Sequence, residues 1–380
     1  MKSRPAQPAE ALLCVITGAL FFGMLGSTLL HHAAHHDFLV FFTQGTIFAE
    51  GNVDRLYDIP FVQEVQQRIA PEKQLFIPPT RPAFYVPLLA PLGLMSIWPA
   101  FTVWLIVQGL GLLAFTWWTK KRFGWGAVAA MSFFFPFAMG ILNGQDISFM
   151  VLLVLGSWLA IEKGRDGLAG VLLAGTLFKF HLLMLLAPAM LLQRKWRMFA
   201  AYALTGAVEA GISVALAGAR PYIDMLTNGK IDTLSESPEM MPNIYAMLMN
   251  LGIDSTPARV VGVLAVAALA LFPRAVPNLT VGWFWAAAAG SILVTPHTYG
   301  YDIALLLPAL LMMLQPDSVK PAKWVAVAAM TIVPYVLTVI GPPWTISPSI
   351  LMLALLLAIS GRLPEWGPRR EASPQPAPAA

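Results

Sequence analysis

The chain alternates between long apolar runs and short breaks of charge, proline or glycine, and the runs recur from residue 11 to residue 360. About 20 apolar residues in a helix match a ~30 Å hydrocarbon core. The breaks divide the chain into twelve candidate spans: 11–30, 100–118, 127–142, 146–162, 167–178, 180–193, 196–217, 259–273, 279–295, 301–315, 322–340 and 347–360. Several are shorter than a full crossing needs, which predicts helices that tilt or that end inside a protein-lined cavity. Residues 84–98, FYVPLLAPLGLMSIW, are also apolar, but they hold Pro87 and Pro91 and are followed by Pro99. The predicted fold is all-α, a polytopic transmembrane bundle of about twelve spans.

Charge orients these spans, because short loops rich in Lys and Arg stay in the cytoplasm. The basic clusters are Lys120-Lys121-Arg122, Lys163 with Arg165, Arg194-Lys195-Arg197, Arg274, Lys320 with Lys323, and Arg362 with Arg369-Arg370. A full crossing by 84–98 would set the first cluster against all the others. A re-entrant 84–98 places every cluster inside, with both termini cytoplasmic and the long loops 31–83 and 218–258 outside. Within the first of these loops, 38–49 is apolar enough to lie against a membrane. Phe61, Val62, Val65 and Ile69 then stand at helical spacing opposite Gln63, Gln66, Gln67 and Arg68. Two surface-lying helices, or a loop packed on the bundle, fit this pattern. Residues 1–362 are expected to form one domain, and the Pro/Ala-rich tail 363–380 is predicted to be disordered.

Composition agrees with the membrane reading: 57% of the residues are hydrophobic and only 12% charged, which excludes an ordinary soluble enzyme. The one cysteine, Cys14, cannot form an intrachain disulfide. The first apolar run is long enough to span and lacks a small-residue cleavage site, so it is expected to be a retained helix in the plasma membrane. The sequence has no P-loop, no G-x-G-x-x-G after a strand and no paired-acid nucleotide-sugar motif, which argues against a nucleotide sugar as substrate.

Ionisable side chains are expensive inside a membrane and mark candidate sites. Asp37 follows the first span and is placed where lipid meets water. Arg81 stands between prolines in IPPTRP, residues 77–82, with a surface arginine as the plainer alternative. Asn143-Gly144-Gln145-Asp146 breaks two spans, and Phe178-Lys179-Phe180-His181 interrupts another apolar stretch. Lys179 has no cheap route to water there, so an anionic partner is expected. Residues 295–302, TPHTYGYD, carry His297, Tyr299 and Asp302 between two further spans. Under the inferred topology all of these converge on the outer face. Glu209, alone in the 196–217 span, is left outside the site. His31/His35 and His32/His36 are i,i+4 pairs, a spacing that can hold a transition metal, but no clear further ligands accompany them beyond Asp37. No metal or other cofactor is therefore expected.

These motifs, Asp37-Phe38, Gln44-Gly45, the G-x-x-x-x-LYD run at 51–58, the proline-rich 77–82, the Gly144-Gln145 turn, the lysine-aromatic break at Lys179 and the T-P-H-x-Y-x-x-D run at 295–302, resemble glycosyltransferase family 87 of the GT-C superfamily. In the family's first motif, Phe41 and Phe42 stand where tyrosines are often found. The resemblance implies an inverting hexosyltransferase that moves a sugar, usually mannose, from a polyprenyl phosphate to a lipid or glycan acceptor outside the cytoplasm. It implies Asp37 as catalytic base, with Arg81, Lys179 and His297 at the donor phosphate. Gln145, Asp146, His181, Tyr299 and Asp302 are then expected to bind sugar or acceptor. A transporter or flippase of a lipid-linked or small anionic substrate is the rival class, since a polytopic bundle with buried charge also suits it. The span pattern shows no inverted repeat.

Overall fold

The computed structural model describes residues 8–10, 12–18, 37–71, 76–223, 238–276, 279, 281–315 and 318–362. Regular structure among the described residues is helical throughout. The first half contains α1 (Asp37–Ala49), α2 (Ile59–Ile69), α3 (Ala90–Gly93), α4 (Ile97–Phe123), α5 (Trp125–Met131), α6 (Phe135–Leu142), α7 (Ile147–Glu162) and α8 (Asp166–Ala174). A 3-10 segment, Leu177–Leu183, leads to α9 (Leu186–Leu192) and α10 (Trp196–Ala217). The second half contains α11 (Ile244–Asn250), α12 (Thr256–Leu271), α13 (Gly282–Val294), a 3-10 segment Gly300–Leu306, α14 (Leu307–Met313), α15 (Lys320–Met330), α16 (Val333–Ile340) and α17 (Ser347–Ile359). Of the first expected span only 12–18 is described, and it is helical. The four histidines at 31, 32, 35 and 36 and the tail 363–380 lie outside the described residues.

The expected twelve spans do not appear as twelve crossing helices. Among the described residues α4 and α10 are long and apolar enough to cross a membrane, and counting each of two bent pairs as one span gives up to four. Proline and glycine account for much of the difference. Pro136 opens α6 after a break that bends it 57° from α5, because a proline fits the first helical turn but interrupts a helix interior. The chain bends by 104° between α8 and Leu177–Leu183, across Gly175 and Thr176. Pro334 similarly opens α16 after α15 has ended. In 84–98 there is only a 3-10 turn, Val86–Leu88, and the four-residue α3 before α4 begins. Neither is long enough to cross.

Helix α1 corrects the expectation of a surface-lying element: residues 38–47 are buried by protein all round. Its sequence, DFLVFFTQGTIFA, has no charged face to turn to water, and a helix that is apolar on every side belongs in a core. α3 packs directly across it, and the contact is possible because Gly45 and Gly93 face one another. A Cβ on Gly45 would strike the Leu89 carbonyl, and one on Gly93 would strike the Gly45 backbone. Overpacking of this kind costs about 1–3 kcal/mol, and a backbone obstacle cannot swing aside. Gly45→Ala is therefore expected to lower the unfolding midpoint in detergent. Gly109→Ala in α4, where a Cβ would meet nothing within 4 Å, serves as the control that should not lower it.

Helix α2 follows its predicted pattern, with Phe61, Val62 and Val65 inside and the Asp58 carboxylate accepting from the Phe61 amide at 3.4 Å. Gln66 departs from the expected polar face. It is buried, donating to the Ile77 carbonyl at 2.6 Å and accepting from the Ile77 amide at 3.1 Å. That grip fixes the start of 77–82. One large apolar core joins α1, α4, α7, α13 and α14. α10, by contrast, packs on α8 and turns Leu204, Val208 and Ile212 outward. An apolar helix exposed in this way needs lipid around it, and the protein is membrane-embedded.

Candidate active site

Four breaks in the helical structure bring polar side chains to one place. At the first, α6 ends with the Gln145 amide donating to the Gly140 carbonyl and the Gly144 amide to the Ile141 carbonyl, both at 2.9 Å. This pairing closes a helix through a left-handed residue, and Gly144 supplies it at φ +72°. Trp104 Nε1 donates to the Gly144 carbonyl at 2.7 Å and holds the turn against α4. Asp146 then stands at the boundary of α7, with no cap bond from its side chain to that helix.

At the second break Lys179 leaves helical geometry, with φ −129° and ψ 51°. At the third, Arg81 sits in the irregular 76–82 stretch. Its backbone is held by Gln44, which donates to the Arg81 carbonyl at 3.0 Å and accepts from the amide at 3.3 Å, and by Tyr57, which donates to the same carbonyl at 2.8 Å. The fourth is 295–302. There Asp302 Oδ2 accepts from the Tyr299 amide at 2.9 Å, and Asn243 donates to the Pro296 carbonyl and to Thr298 Oγ1. Thr295 Oγ1 donates to the His181 carbonyl at 2.6 Å, tying this loop to the lysine segment.

The charged groups form one connected network. Arg81 binds Asp146 through Nε at 2.8 Å and Nη2 at 3.0 Å, a two-pronged contact, with Nη1 on Thr80 Oγ1 at 3.2 Å. Lys179 Nζ lies 3.5 Å from Asp146 Oδ1 and 3.5 Å from Asp302 Oδ1, and donates to Gln145 Oε1 at 2.8 Å. Arg81 Nη2 reaches the same Oε1 at 3.3 Å. The other end of that amide, Nε2, donates to Asp37 Oδ2 at 2.7 Å. Asp146 is fully buried and Arg81 is 4% exposed. Burial alone would lower the basicity of Arg81, but the Asp146 carboxylate more than offsets it and holds the guanidinium charged above its ordinary range.

Around this buried floor lies a partly buried rim. Asp37, His181, His297, Tyr299 and Tyr301 are all partly accessible. The rings follow one another: His181 to His297 at 6.3 Å, His297 to Tyr299 at 5.2 Å and Tyr299 stacked on Tyr301 at 5.6 Å. Lys179 Nζ lies 5.4 Å from the Tyr301 ring centre, within cation–π reach. A floor of paired charge under a rim of imidazoles and phenols can receive an anionic group and polar hydroxyls together. Among the described residues no cluster of three or more His, Cys, Asp or Glu side chains is arranged to hold a metal.

The model of glycosyltransferase family 87 matches residues 80–296. The chain belongs to glycosyltransferase family 87. No curated protein and no solved structure matches the chain. Within the matched range this family member has Arg81, Gln145, Asp146, Lys179 and His181. Asp37, His297, Tyr299 and Asp302 lie outside the range yet share the same site. As a glycosyltransferase the protein uses a sugar donor and an acceptor, and it does so from within a membrane.

The residues that the sequence offers as base, phosphate, sugar or acceptor groups, Asp37, Arg81, Gln145, Asp146, Lys179, His181, His297, Tyr299 and Asp302, all fall in this region. Arg81 is a buried ion-pair partner and not a surface arginine. Three contributors were not anticipated: Tyr301 beside Lys179, Asn243 behind 295–302, and Tyr222, whose hydroxyl accepts from the Ala83 amide at 3.2 Å and lies 3.3 Å from Tyr57. Tyr301 stood inside a quoted motif, but Asn243 and Tyr222 had no pattern around them to draw notice.

Proposed function

We propose that this family 87 enzyme transfers a hexose, by resemblance mannose, from a polyprenyl phosphate to a glycolipid or glycan acceptor on the extracytoplasmic side. The transfer inverts the anomeric centre. Asp37 removes the proton from the acceptor hydroxyl as that oxygen attacks the anomeric carbon. The bond from that carbon to the phosphate oxygen breaks, and polyprenyl phosphate leaves with one more negative charge than the phosphate carried in the donor. The observation that carries this reading is the connection of the partly accessible Asp37, through Gln145, to two buried cations. It supplies a base and a compensating charge within one site. The Lys and Arg distribution along the chain supports the outward-facing placement.

The cations divide the work. Arg81 is committed to Asp146 by a two-pronged contact, so it shapes the phosphate site through the carboxylate it holds. Lys179 stands at 3.5 Å from each of two carboxylates, looser contacts that an arriving phosphate can replace. His297 adds a hydrogen-bond donor from the rim. His181, Tyr299 and Asp302 stand beside it for the sugar and acceptor.

Lys179→Met should weaken donor binding by about 10–100-fold, roughly 1.4–3 kcal/mol, in a binding assay on the purified membrane protein. Unchanged affinity would place the phosphate elsewhere. The transferase reading itself is tested in liposomes carrying the protein and a radiolabelled polyprenyl-phosphate mannose. Label passing to a new glycoconjugate supports it, whereas intact donor moved between leaflets would favour the flippase.

A further inference from the structure

Gln145 is distinctive among the site residues because both ends of its amide are occupied by groups of opposite charge. Nε2 donates to Asp37 Oδ2 at 2.7 Å, while Oε1 accepts from Lys179 Nζ at 2.8 Å and from Arg81 Nη2 at 3.3 Å. The neighbours fix this orientation. A flipped amide would set its oxygen against a carboxylate and its N–H groups against two cations. The residue is 7% exposed, and its backbone follows the left-handed turn at Gly144, which the Trp104 contact holds. It has little freedom to reorient.

We propose that Gln145 is a positioning residue that aims the Asp37 carboxylate and couples it to the buried cations. This rests on the reading of Asp37 as base. The cations polarise the amide oxygen, which strengthens the N–H donated to Asp37. That hydrogen bond occupies Oδ2 and leaves Oδ1 to face the acceptor. When a donor phosphate draws Lys179 toward itself, the same amide carries the change to the base. Binding of donor and readiness to deprotonate the acceptor are thereby linked without direct contact between Lys179 and Asp37. Among the described residues, the other charged and titratable groups around this bridge are Asp146 and Asp302 on the cation side, Tyr85 beside Asp146, and Tyr301, whose ring lies against Lys179. His181 and His297 stand on the rim.

The test uses the full chain in liposomes, with polyprenyl-phosphate mannose as donor. Gln145→Ala should lower kcat by about 10²-fold, the cost of a misplaced catalytic group, with a far smaller change in donor KM. Gln145→Glu keeps the shape but places a second carboxylate against Asp37. It should move the acidic limb of the pH–rate profile upward by about one unit or more, since adjacent like charges disfavour ionisation. This near-isosteric variant carries the test if Gln145→Ala does not accumulate. An unmoved limb in Gln145→Glu, or a raised KM with intact kcat in Gln145→Ala, would overturn the proposal and make Gln145 a substrate ligand. Asp37→Asn, measured alongside, separates the two failures. If it retains turnover, the base is misassigned. If it is inactive while the Gln145 variants behave as just described for failure, only the positioning role falls.

Discussion

Asp37→Asn is expected to abolish sugar transfer while leaving donor affinity near that of the wild-type protein. The substitution keeps the side chain's shape and removes its capacity to take a proton. Loss of a general base costs roughly 10²–10⁴-fold in rate. Asp37 meets the requirements for that role: it opens α1, the residue is only partly buried, and one oxygen is fixed by Gln145 at 2.7 Å. The donor phosphate is assigned to Lys179, on the far side of the Gln145 amide, so binding should survive the change. Turnover and donor affinity must be measured together. Near-normal turnover would move the base to Asp146 or Asp302, and both are poorly placed for it. Asp146 is held by Arg81 and Lys179, and Asp302 is buried against Lys179.

Asp146→Asn should produce the largest loss of stability among the site variants, independently of any chemistry. It would leave Arg81, which is almost fully buried, without its two-pronged carboxylate, and Lys179 with one carboxylate in place of two. Removing one partner of a buried ion pair costs about 3–5 kcal/mol, whereas replacing both with apolar groups is often close to neutral. Asp146→Asn should therefore unfold at markedly lower temperature in detergent, and Arg81→Met with Asp146→Leu should recover part of the loss. The expected non-additivity is the signature of direct coupling. A single variant as stable as wild type would show that the pair contributes nothing to the fold.

The sequence made the site more legible than the bundle that holds it. Asp37, Arg81, Gln145, Lys179 and Asp302 stand out because a charged or amide group is conspicuous in an apolar chain, and their convergence follows once the breaks between spans are placed on one side. Helix lengths were harder to read. The run 127–142 looks continuous by hydropathy, yet the break before Pro136 divides it into α5 and α6. The charged break at 178–180 divides the run 167–193 by hydropathy, whereas the chain already turns across Gly175 and Thr176. Hydropathy registers where apolar residues are, and local backbone chemistry decides where a helix ends. α1 misled for another reason. Its apolar composition fits burial on every side, but the partners that bury it, such as α3 with Gly93 against Gly45, are distant in sequence and leave no mark in the local pattern. Gln66 and Asn243 fulfil their roles by gripping backbone outside their own helices, 11 and 53 residues away, which no local pattern reports.

The mechanism proposed for this enzyme is a single displacement at the anomeric carbon with Asp37 as base and the phosphate leaving from the opposite face. The stereochemistry of the product tests it most directly. The glycoconjugate formed from a polyprenyl-phosphate sugar of known configuration can be isolated and its anomeric one-bond C–H coupling measured by NMR. An inverted centre is the predicted result. A retained centre would require two successive displacements through a covalent intermediate and would contradict the assignment of Asp37 as a base.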